Sequence, residues 1–214
     1  MATATQTRIG SRETAEVQSK VSDLRALYAD APEVGKTALE NALREMTSGA
    51  STSWMAEPRS RMQGAGRVCK RQGTVSELTL IAPFAEGGAQ RLRDFLQLRD
   101  GNFDETDKVG TVHDMRFVYL DNDTKLLFAT AYDGDWDAYI DDFVTKIPNS
   151  MDLIFSNLEG WPGIHDSSVK DFIVRHQIAA DAWYVAHPDL TVAETRRLKR
   201  NGQALEEFLD KISE

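Results

Sequence analysis

The chain has 214 residues, and 25 Lys and Arg against 34 Asp and Glu give a formal net charge of −9 at pH 7. This acidic balance argues against a duplex nucleic-acid binder, because such a protein needs a basic face that displaces counterions from phosphates. The single cysteine, Cys69, excludes an internal disulfide and a multi-cysteine zinc site. The chain has no apolar run of membrane-spanning length, and its first residues lack the apolar core of a secretory signal. The sequence therefore predicts a soluble, cytoplasmic protein with no membrane span.

The N-terminal segment carries two helical patterns. Apolar residues recur at helical spacing over residues 11–28, and again from Pro32 to about Met46. Pro32 lies where the first turn of the second helix begins, a position that tolerates proline because its missing N–H has no helical partner. Residues 1–46 are therefore predicted to form a helical hairpin.

Residues 47–75 carry repeated Gly and Ser without a period, which predicts a flexible arm or linker. Trp54 favours an arm that docks on a partner. The same segment holds a basic cluster, formed by Arg59, Arg61, Arg67, Lys70 and Arg71. Because residues 84–166 carry 17 acidic and 7 basic side chains, the cluster is predicted to be a solvated segment that leans on this acidic region. Cys69 lies among these cations and is either a reactive thiol or an incidental surface residue.

The core is predicted over residues 76–163, where short apolar runs alternate with helical patterns. Strands are predicted over Glu77–Phe84, Gly110–Leu120, Lys125–Tyr132 and Asp152–Leu158, and helices over Gly87–Leu98 and Asp135–Lys146. This order predicts an α+β fold with a ferredoxin-like (split βαβ) antiparallel sheet. Helices cover one face of the sheet. In this architecture the other face is usually covered by the sheet of a second copy, which predicts a homodimer. Residues 164–214 are predicted to be a C-terminal extension of two helices, the last of them capped by Thr191 and Glu194.

Two residues of the second predicted strand are candidates for catalysis. Strand side chains alternate between faces, so His113 is placed with Met115 and Phe117, and Arg116 is placed on the opposite face with Asp114. His113 or Arg116 is then a pocket residue, as an acid–base group, a haem ligand or an anion clamp. The alternative is a core histidine bonded to the backbone and a surface pair of Asp114 with Arg116.

Four further residues are candidates for cofactor binding. His176 lies among apolar residues of a predicted helix and is the best haem-ligand candidate there, although a lone helix histidine is more often structural. Trp183, Tyr132 and Trp161 are candidates for the wall of an apolar pocket, the usual make-up of a small-molecule site, or else are core residues. No metal site is predicted. The DGDWD run at residues 133–137 has the alternating acids of a calcium loop but departs from its pattern further on, and it suits the start of a helix better.

Two stretches carry a family resemblance: GTVHDMRFVYLDNDTKLLFATAYDGDWDAYIDDFVTKI over residues 110–147 and NLEGWPG over residues 157–163. They resemble a bacterial family of dimeric α+β barrels, in which a VHxxRFV strand precedes a hairpin ending in YDG. An acidic helix and a Gly-Pro turn follow in that family. The resemblance covers about half of the chain and implies a barrel built by two sheets. Dye-decolorising peroxidases and other haem proteins share this architecture, so it brings haem forward as a candidate cofactor.

Two functions remain open on the sequence. The first is a small-molecule-binding barrel, an oxidoreductase or an accessory protein of one, with haem or another small apolar molecule beside His113, Arg116 and His176. The second is a non-catalytic binding or assembly module, in which the N-terminal helices and the arm dock a partner and the core is scaffold.

Overall fold

The structure is a computed structural model that describes residues 18–19, 21–47, 63–64, 67, 69–100 and 102–213. The chain divides into two compact units, Met1–Arg59 and Ser60–Glu214. None of the described helices has both the length and the apolar character needed to cross a membrane.

The first unit contains two helices joined by a short turn. Helix α1 is described over residues 21–27 and helix α2 spans Glu33–Thr47. Arg25 and Glu40 form a bidentate ion pair, in which Nε lies 2.7 Å from Oε1 and Nη2 lies 2.8 Å from Oε2. Leu27 and Val34 are largely exposed, so the pair of helices presents apolar side chains as well as charges to solvent.

The second unit contains an antiparallel sheet. Its described strands are β1 Gln63–Gly64, β2 Lys70–Gln72, β3 Val75–Pro83, β4 Val112–Leu120, β5 Lys125–Asp133 and β6 Gln177–Ile178. The order is β1-β2-β3-β5-β4, with β6 also paired to β3. One edge of β3 pairs with β5 along its whole length, and the other edge pairs with β2 at its start and with β6 at Thr79 and Leu80. The α+β class with an antiparallel sheet, predicted from the sequence, is confirmed.

The helices of this unit supply the other half of its core. They are α3 Gly88–Leu98, α4 Trp136–Lys146, α5 Pro148–Phe155, α6 Val169–His176 and α7 Val192–Ser213, with a 3-10 turn at Asp104–Lys108. Alternate residues of β3 and β5, such as Leu80 and Phe128, are buried in one cluster with Phe143 of α4, Phe155 of α5 and Phe172 of α6. Burial of each such side chain contributes roughly 1.5–3 kcal/mol.

The fourth predicted strand is wrong, because residues 152–155 belong to helix α5. Pro148 occupies the first turn of this helix, where proline is tolerated. Met151, Ile154 and Phe155 are buried and Leu153 is exposed, which is a helical pattern of three- and four-residue steps. The run DLIF is too short for its periodicity to separate a strand from a buried helix, and Pro148 begins a helix as well as ending α4.

The strand that pairs beside β3 in place of the predicted one is β6. It has only two residues and follows α6 directly. Helix α6 ends at His176, because Gln177 and Ile178 extend to pair with β3. The order β6-β3-β5-β4 is compatible with a ferredoxin-like sheet whose fourth strand is short and arrives late in the chain.

The last part of the predicted arm belongs to the sheet. Residues 70–72 form β2, Cys69 is buried, and β3 begins at Val75. Arg71 pairs with Ser76 across a tight turn in which Gly73 has φ +59°. A side chain at Gly73 would come within 2.3 Å of the Pro188 carbonyl oxygen, so the turn requires glycine. Trp54 lies outside the described residues.

Candidate functional site

A β-bulge determines where His113 points. The pairing of β4 with β5 is regular from the turn down to Asp114 and then shifts, so that Val112 faces Tyr132 and His113 is the extra residue. Val112 packs on the core together with Met115. The prediction that His113 shares the face of Met115 and Phe117 is therefore wrong, because an extra residue reverses the alternation of a strand.

His113 is paired with a carboxylate. Its Nε2 lies 2.7 Å from Oδ1 of Asp133, and its side chain is 25% exposed. The other carboxylate oxygen, Oδ2, accepts a hydrogen bond of 2.8 Å from the backbone N–H of Val192 at the start of α7. Asp133 thus orients the imidazole with one oxygen. With the other it accepts from an N–H at the start of α7 that has no acceptor within the helix. A histidine oriented by a carboxylate can accept or donate a proton, and the same contacts also lock α7 to the sheet.

The segment between β6 and α7 crosses the sheet face that carries Asp133. The N–H of Ala180 donates to Oε1 of the buried Glu77, at 3.3 Å, and the Thr74 N–H donates to the Pro188 carbonyl, at 2.8 Å. Glu77 also accepts from the N–H of Lys70 and from the Thr79 hydroxyl. The chain itself therefore covers part of the face that the sequence assigned to a second copy of the sheet.

Arg116 lies apart from this pair of residues. Its side chain is 65% exposed, and its Nε lies 3.4 Å from Oδ1 of Asp114. The structure thus places Arg116 in the exposed pair that the sequence left as its alternative. An exposed ion pair of this kind contributes less than about 1 kcal/mol, and no described cavity is lined by Arg116.

Tyr132 belongs to the core rather than to a pocket wall. Its ring is fully buried and stacks on Tyr139 with centroids 3.8 Å apart and an interplanar angle of 6°. Burial raises the pKa of both phenols well above the usual value, and the neighbouring Cys69 thiol adds to the effect at Tyr132. Both hydroxyls are therefore neutral at any physiological pH.

Trp161 closes the far end of the same core. Its ring stacks on Phe155 and meets Phe172 edge-on, and its Nε1–H donates to Oδ1 of Asp152 at 2.8 Å. It borders an apolar cavity of about 20 Å³ between the sheet and helices α4 to α6. A second cavity of the same size lies under Phe117, Arg99 and Glu105. Each holds about one water molecule at most.

The residues considered for haem do not fit that group. His176 is half-buried at the end of α6, and its Nδ1 donates to the Phe172 carbonyl oxygen at 2.9 Å. Trp183 lies in the coil after β6, where its carbonyl accepts a hydrogen bond from Gln72. His176, Trp183, Tyr132 and Trp161 do not surround one cavity. A small-molecule pocket needs several hundred Å³, many times the volume of either described cavity.

Cys69 is neither exposed nor activated. Its side chain is 2% exposed, and desolvation raises the pKa of the thiol from 9.0 to about 12. The Gln177 amide binds its sulfur and also accepts the indole N–H of Trp136, at 3.0 Å. The cations near Cys69 in sequence point elsewhere, since the Arg67 guanidinium lies 4.5 Å from the centroid of the Trp136 ring and Arg71 pairs with Asp135.

Two residues of the basic cluster, Arg67 and Arg71, contact the acidic region, while Arg59 and Arg61 lie outside the described residues. Arg67 lies 3.5 Å from Asp137 at the start of α4 and 3.9 Å from Asp171 of α6, and Arg71 pairs with Asp135. Asp135 occupies the cap position of α4, but its carboxylate binds Arg71 and makes no hydrogen bond to the helix. The DGDWD run is therefore used for ion pairs and for the His113 contact rather than for helix capping.

Sequence reasoning missed Asp133 as the partner of His113. A regular hairpin counted back from the Asp121–Thr124 turn places residue 113 opposite residue 132, on the sheet face away from Asp133. Only the bulge brings the two side chains together, and no local pattern signals it. Sequence reasoning also missed that the apolar face of α7 is exposed. The sequence predicts an amphipathic helix but cannot say whether its apolar face is covered.

Comparisons with protein-family models, with curated protein sequences and with solved structures gave no match. The resemblance to dimeric α+β barrels stays a prediction.

Proposed function

We propose that this protein is a non-catalytic assembly module, in which the α+β unit is a scaffold and helix α7 makes the contact with a second copy of the chain. One observation carries the proposal. All 19 residues of α7 from Thr195 to Ser213 are exposed, although five of them are large and apolar. These are Leu198, Leu205, Phe208, Leu209 and Ile212, each between 47% and 63% exposed.

The exposed apolar face of α7 is costly without a partner. In folded proteins, packing of the apolar face normally supplies most of the stability of an amphipathic helix. The buried apolar contact of α7 is confined to its first turn, where Val192 is buried and Thr191 and Glu194 form the predicted capping box. One turn further on, Arg196 forms an exposed ion pair with Asp107. Exposed apolar patches on globular proteins mark interaction sites.

The packed interior supports the role of scaffold. The described cavities are about 20 Å³ each, and Tyr132, Tyr139 and Trp136 fill the space where a pocket was expected. The alternative function suggested by the sequence placed the contact on the N-terminal helices and the arm around Trp54. The assembly proposal keeps that function and moves the contact to α7.

We assign the scaffold to the ferredoxin-like arrangement. From β3 to α4 the elements follow in the order strand, helix, strand, strand, helix, which supports the assignment. The position of β6 beside β3 supports it as well. A barrel formed by two sheets, which the resemblance implies, has less support than a contact through α7. The segment from Ile178 to Val192 already crosses part of the sheet face that a barrel dimer needs.

The assembly proposal predicts a concentration-dependent mass. Light scattering between 1 and 100 μM is expected to give twice the chain mass of 23.9 kDa at the upper end. Changing Leu198 and Leu205 together to Gln is expected to leave a monomer, because two of the five apolar contacts are lost. Leu98→Gln is the matched control, since Leu98 is an exposed leucine of α3 and its change leaves the mass unaltered. A wild-type monomer at 100 μM contradicts the proposal.

A second candidate function is small-molecule binding at the His113–Asp133 pair, which is the first function suggested by the sequence. The observation in its favour is the imidazole held by a carboxylate at 2.7 Å and partly open to solvent. The candidate requires a ligand beside His113 rather than in the core.

Absorbance titration with haemin separates the two functions. The assembly proposal expects no saturable Soret band in the wild-type protein, because His176 and the aromatic residues do not form a haem-sized pocket. A saturable band that is lost in His113→Ala favours the second candidate. Arg116→Ala is the control, since its exposed side chain pairs with Asp114 and lies apart from His113 and His176.

A further inference from the structure

Resting on the proposed function, we infer that two copies of the chain pair their α7 helices antiparallel, so that the basic first half of each helix lies against the acidic second half of the other. Self-pairing of one surface about a two-fold axis is the commonest way in which a protein forms a dimer. The sequence of α7, its exposure and the position of one glycine each support this geometry.

The apolar face of α7 has the spacing of a coiled-coil seam. Leu198, Gly202, Leu205, Leu209 and Ile212 follow one another at steps of four, three, four and three residues. Steps of this kind keep side chains on one stripe of a helix, and two such stripes interlock when the helices coil around each other. Every one of these residues is exposed, so the whole stripe is available for a partner.

The charges of α7 are separated along its length. Between residues 196 and 200 the helix carries only basic charges, from Arg196, Arg197, Lys199 and Arg200, and between residues 206 and 210 only acidic ones, from Glu206, Glu207 and Asp210. A parallel pair places each block beside its own copy and repels. An antiparallel pair centred between residues 203 and 204 places each basic block against an acidic one.

Lys199 and Glu206 occupy equivalent positions beside the seam, because they are seven residues apart. In an antiparallel pair equivalent flanking positions face each other across the interface. Lys199 therefore lies against the partner's Glu206, and two-fold symmetry repeats this ion pair at the other end of the contact.

Gly202 also favours the antiparallel arrangement. A glycine in the middle of a helix costs about 0.5–1 kcal/mol relative to alanine, and a side chain at this position would meet nothing within 4 Å in the chain itself. In a parallel pair Gly202 faces its own copy and leaves a gap in the seam. In the antiparallel pair the partner's Leu205 faces Gly202, and Leu198 faces the partner's Leu209, so that a large side chain fills the space that glycine leaves.

Single-cysteine variants test the direction of pairing. In an antiparallel pair residue 198 of one copy lies about 16 Å along the axis from residue 198 of the other, because 11 residues separate positions 198 and 209. A disulfide needs Cα atoms within about 7 Å. Mixed Leu198→Cys and Leu209→Cys chains are therefore expected to form a disulfide-linked dimer under mild oxidation, while each variant alone does not. Cys69 is buried and does not interfere.

The outcomes separate the geometry from the proposed function. Crosslinking of Leu198→Cys alone shows a parallel pair, which overturns the antiparallel inference and leaves the assembly module standing. A dimeric mass without a crosslink in the mixture also overturns the inference, because the contact then lies elsewhere. A monomeric wild-type protein contradicts the assembly module itself.

Charge reversal gives an independent check on the register. Lys199→Glu and Glu206→Lys are each expected to raise the dissociation constant of the dimer at least about tenfold, because each creates two like-charge contacts. The double variant restores opposite charges and is expected to return to within about threefold of the wild type. If the double variant is as weak as the single ones, these two residues do not face each other.

Discussion

Replacing Trp136 with Ala is expected to lower the free energy of unfolding of the α+β unit by at least about 3 kcal/mol, because removal of a fully buried aromatic ring leaves a cavity. The ring has no exposed surface, and its N–H is bonded to Gln177. Truncation also leaves the amide oxygen of Gln177 without its donor, which adds a penalty of about 1–3 kcal/mol. Urea unfolding followed by circular dichroism measures the loss.

Two comparison variants make the Trp136 result specific. Trp183→Ala removes the same side chain from the half-buried coil after β6, where the hydrogen bond from Gln72 goes to the backbone and survives the change. Its cost is expected to be about 1 kcal/mol. Trp136→Phe keeps most of the ring and loses the N–H contact, so its loss of unfolding free energy should fall between those of Trp136→Ala and Trp183→Ala. Equal losses for Trp136→Ala and Trp183→Ala would show that α4 does not pack as described.

The Cys69 thiol is expected to react at least about 1,000-fold more slowly at pH 8 than an exposed thiol. The thiolate is the reactive form, and raising the pKa from 9.0 to about 12 lowers its fraction at pH 8 by this factor. A chromogenic disulfide reagent measures the rate. Ser213→Cys supplies an exposed thiol on α7 as the control, and unfolding in guanidinium should make both thiols fast. Equal rates in the folded protein would contradict burial of Cys69.

The same pKa shift predicts how stability depends on pH. The folded state holds the Cys69 proton more tightly than the unfolded state, so the contribution is complete below pH 9 and is lost as the pH rises towards 12. The loss over this window amounts to at most about 1.4 kcal/mol for each pH unit. Urea midpoints measured between pH 8 and pH 10 should fall, and Cys69→Ala should make the fall smaller.

The assembly proposal changes how the helices outside the core are interpreted. The structure contains an α+β unit whose interior is filled by aromatic rings and whose last helix presents apolar residues to solvent. The His113–Asp133 contact then has a structural role, since Asp133 joins the bulge of β4 to the first N–H of α7. Through this contact the scaffold sets the direction in which α7 leaves the sheet.

Local patterns predicted most of the core elements. The β4–β5 hairpin, α3 and α4 are close to their predicted bounds, because each segment has its own alternating or helical spacing of apolar residues. The capping box of Thr191 and Glu194 was equally local, since both residues lie within one turn. The run at Asp152–Leu158 failed because four apolar residues fit a strand and a buried helix equally well.

The candidate site depended on contacts that no local pattern contains. Alternation in a strand predicted the face of His113, but one bulged residue reversed it and brought the imidazole to Asp133. The basic neighbours of Cys69 suggested a reactive thiol, but the Arg67 side chain lies against Trp136 and the Arg71 side chain pairs with Asp135, while the sulfur is buried in the core.

The sequence by itself determined the α+β class, the acidic surface and the amphipathic stripe of α7, because composition and periodicity act within a segment. Only the tertiary structure decided that β6 replaces the predicted fourth strand, that the aromatic residues fill the core and that the stripe of α7 is left exposed. These features depend on which surfaces meet, and the free energy of burying a surface is set by its neighbours in space rather than in sequence.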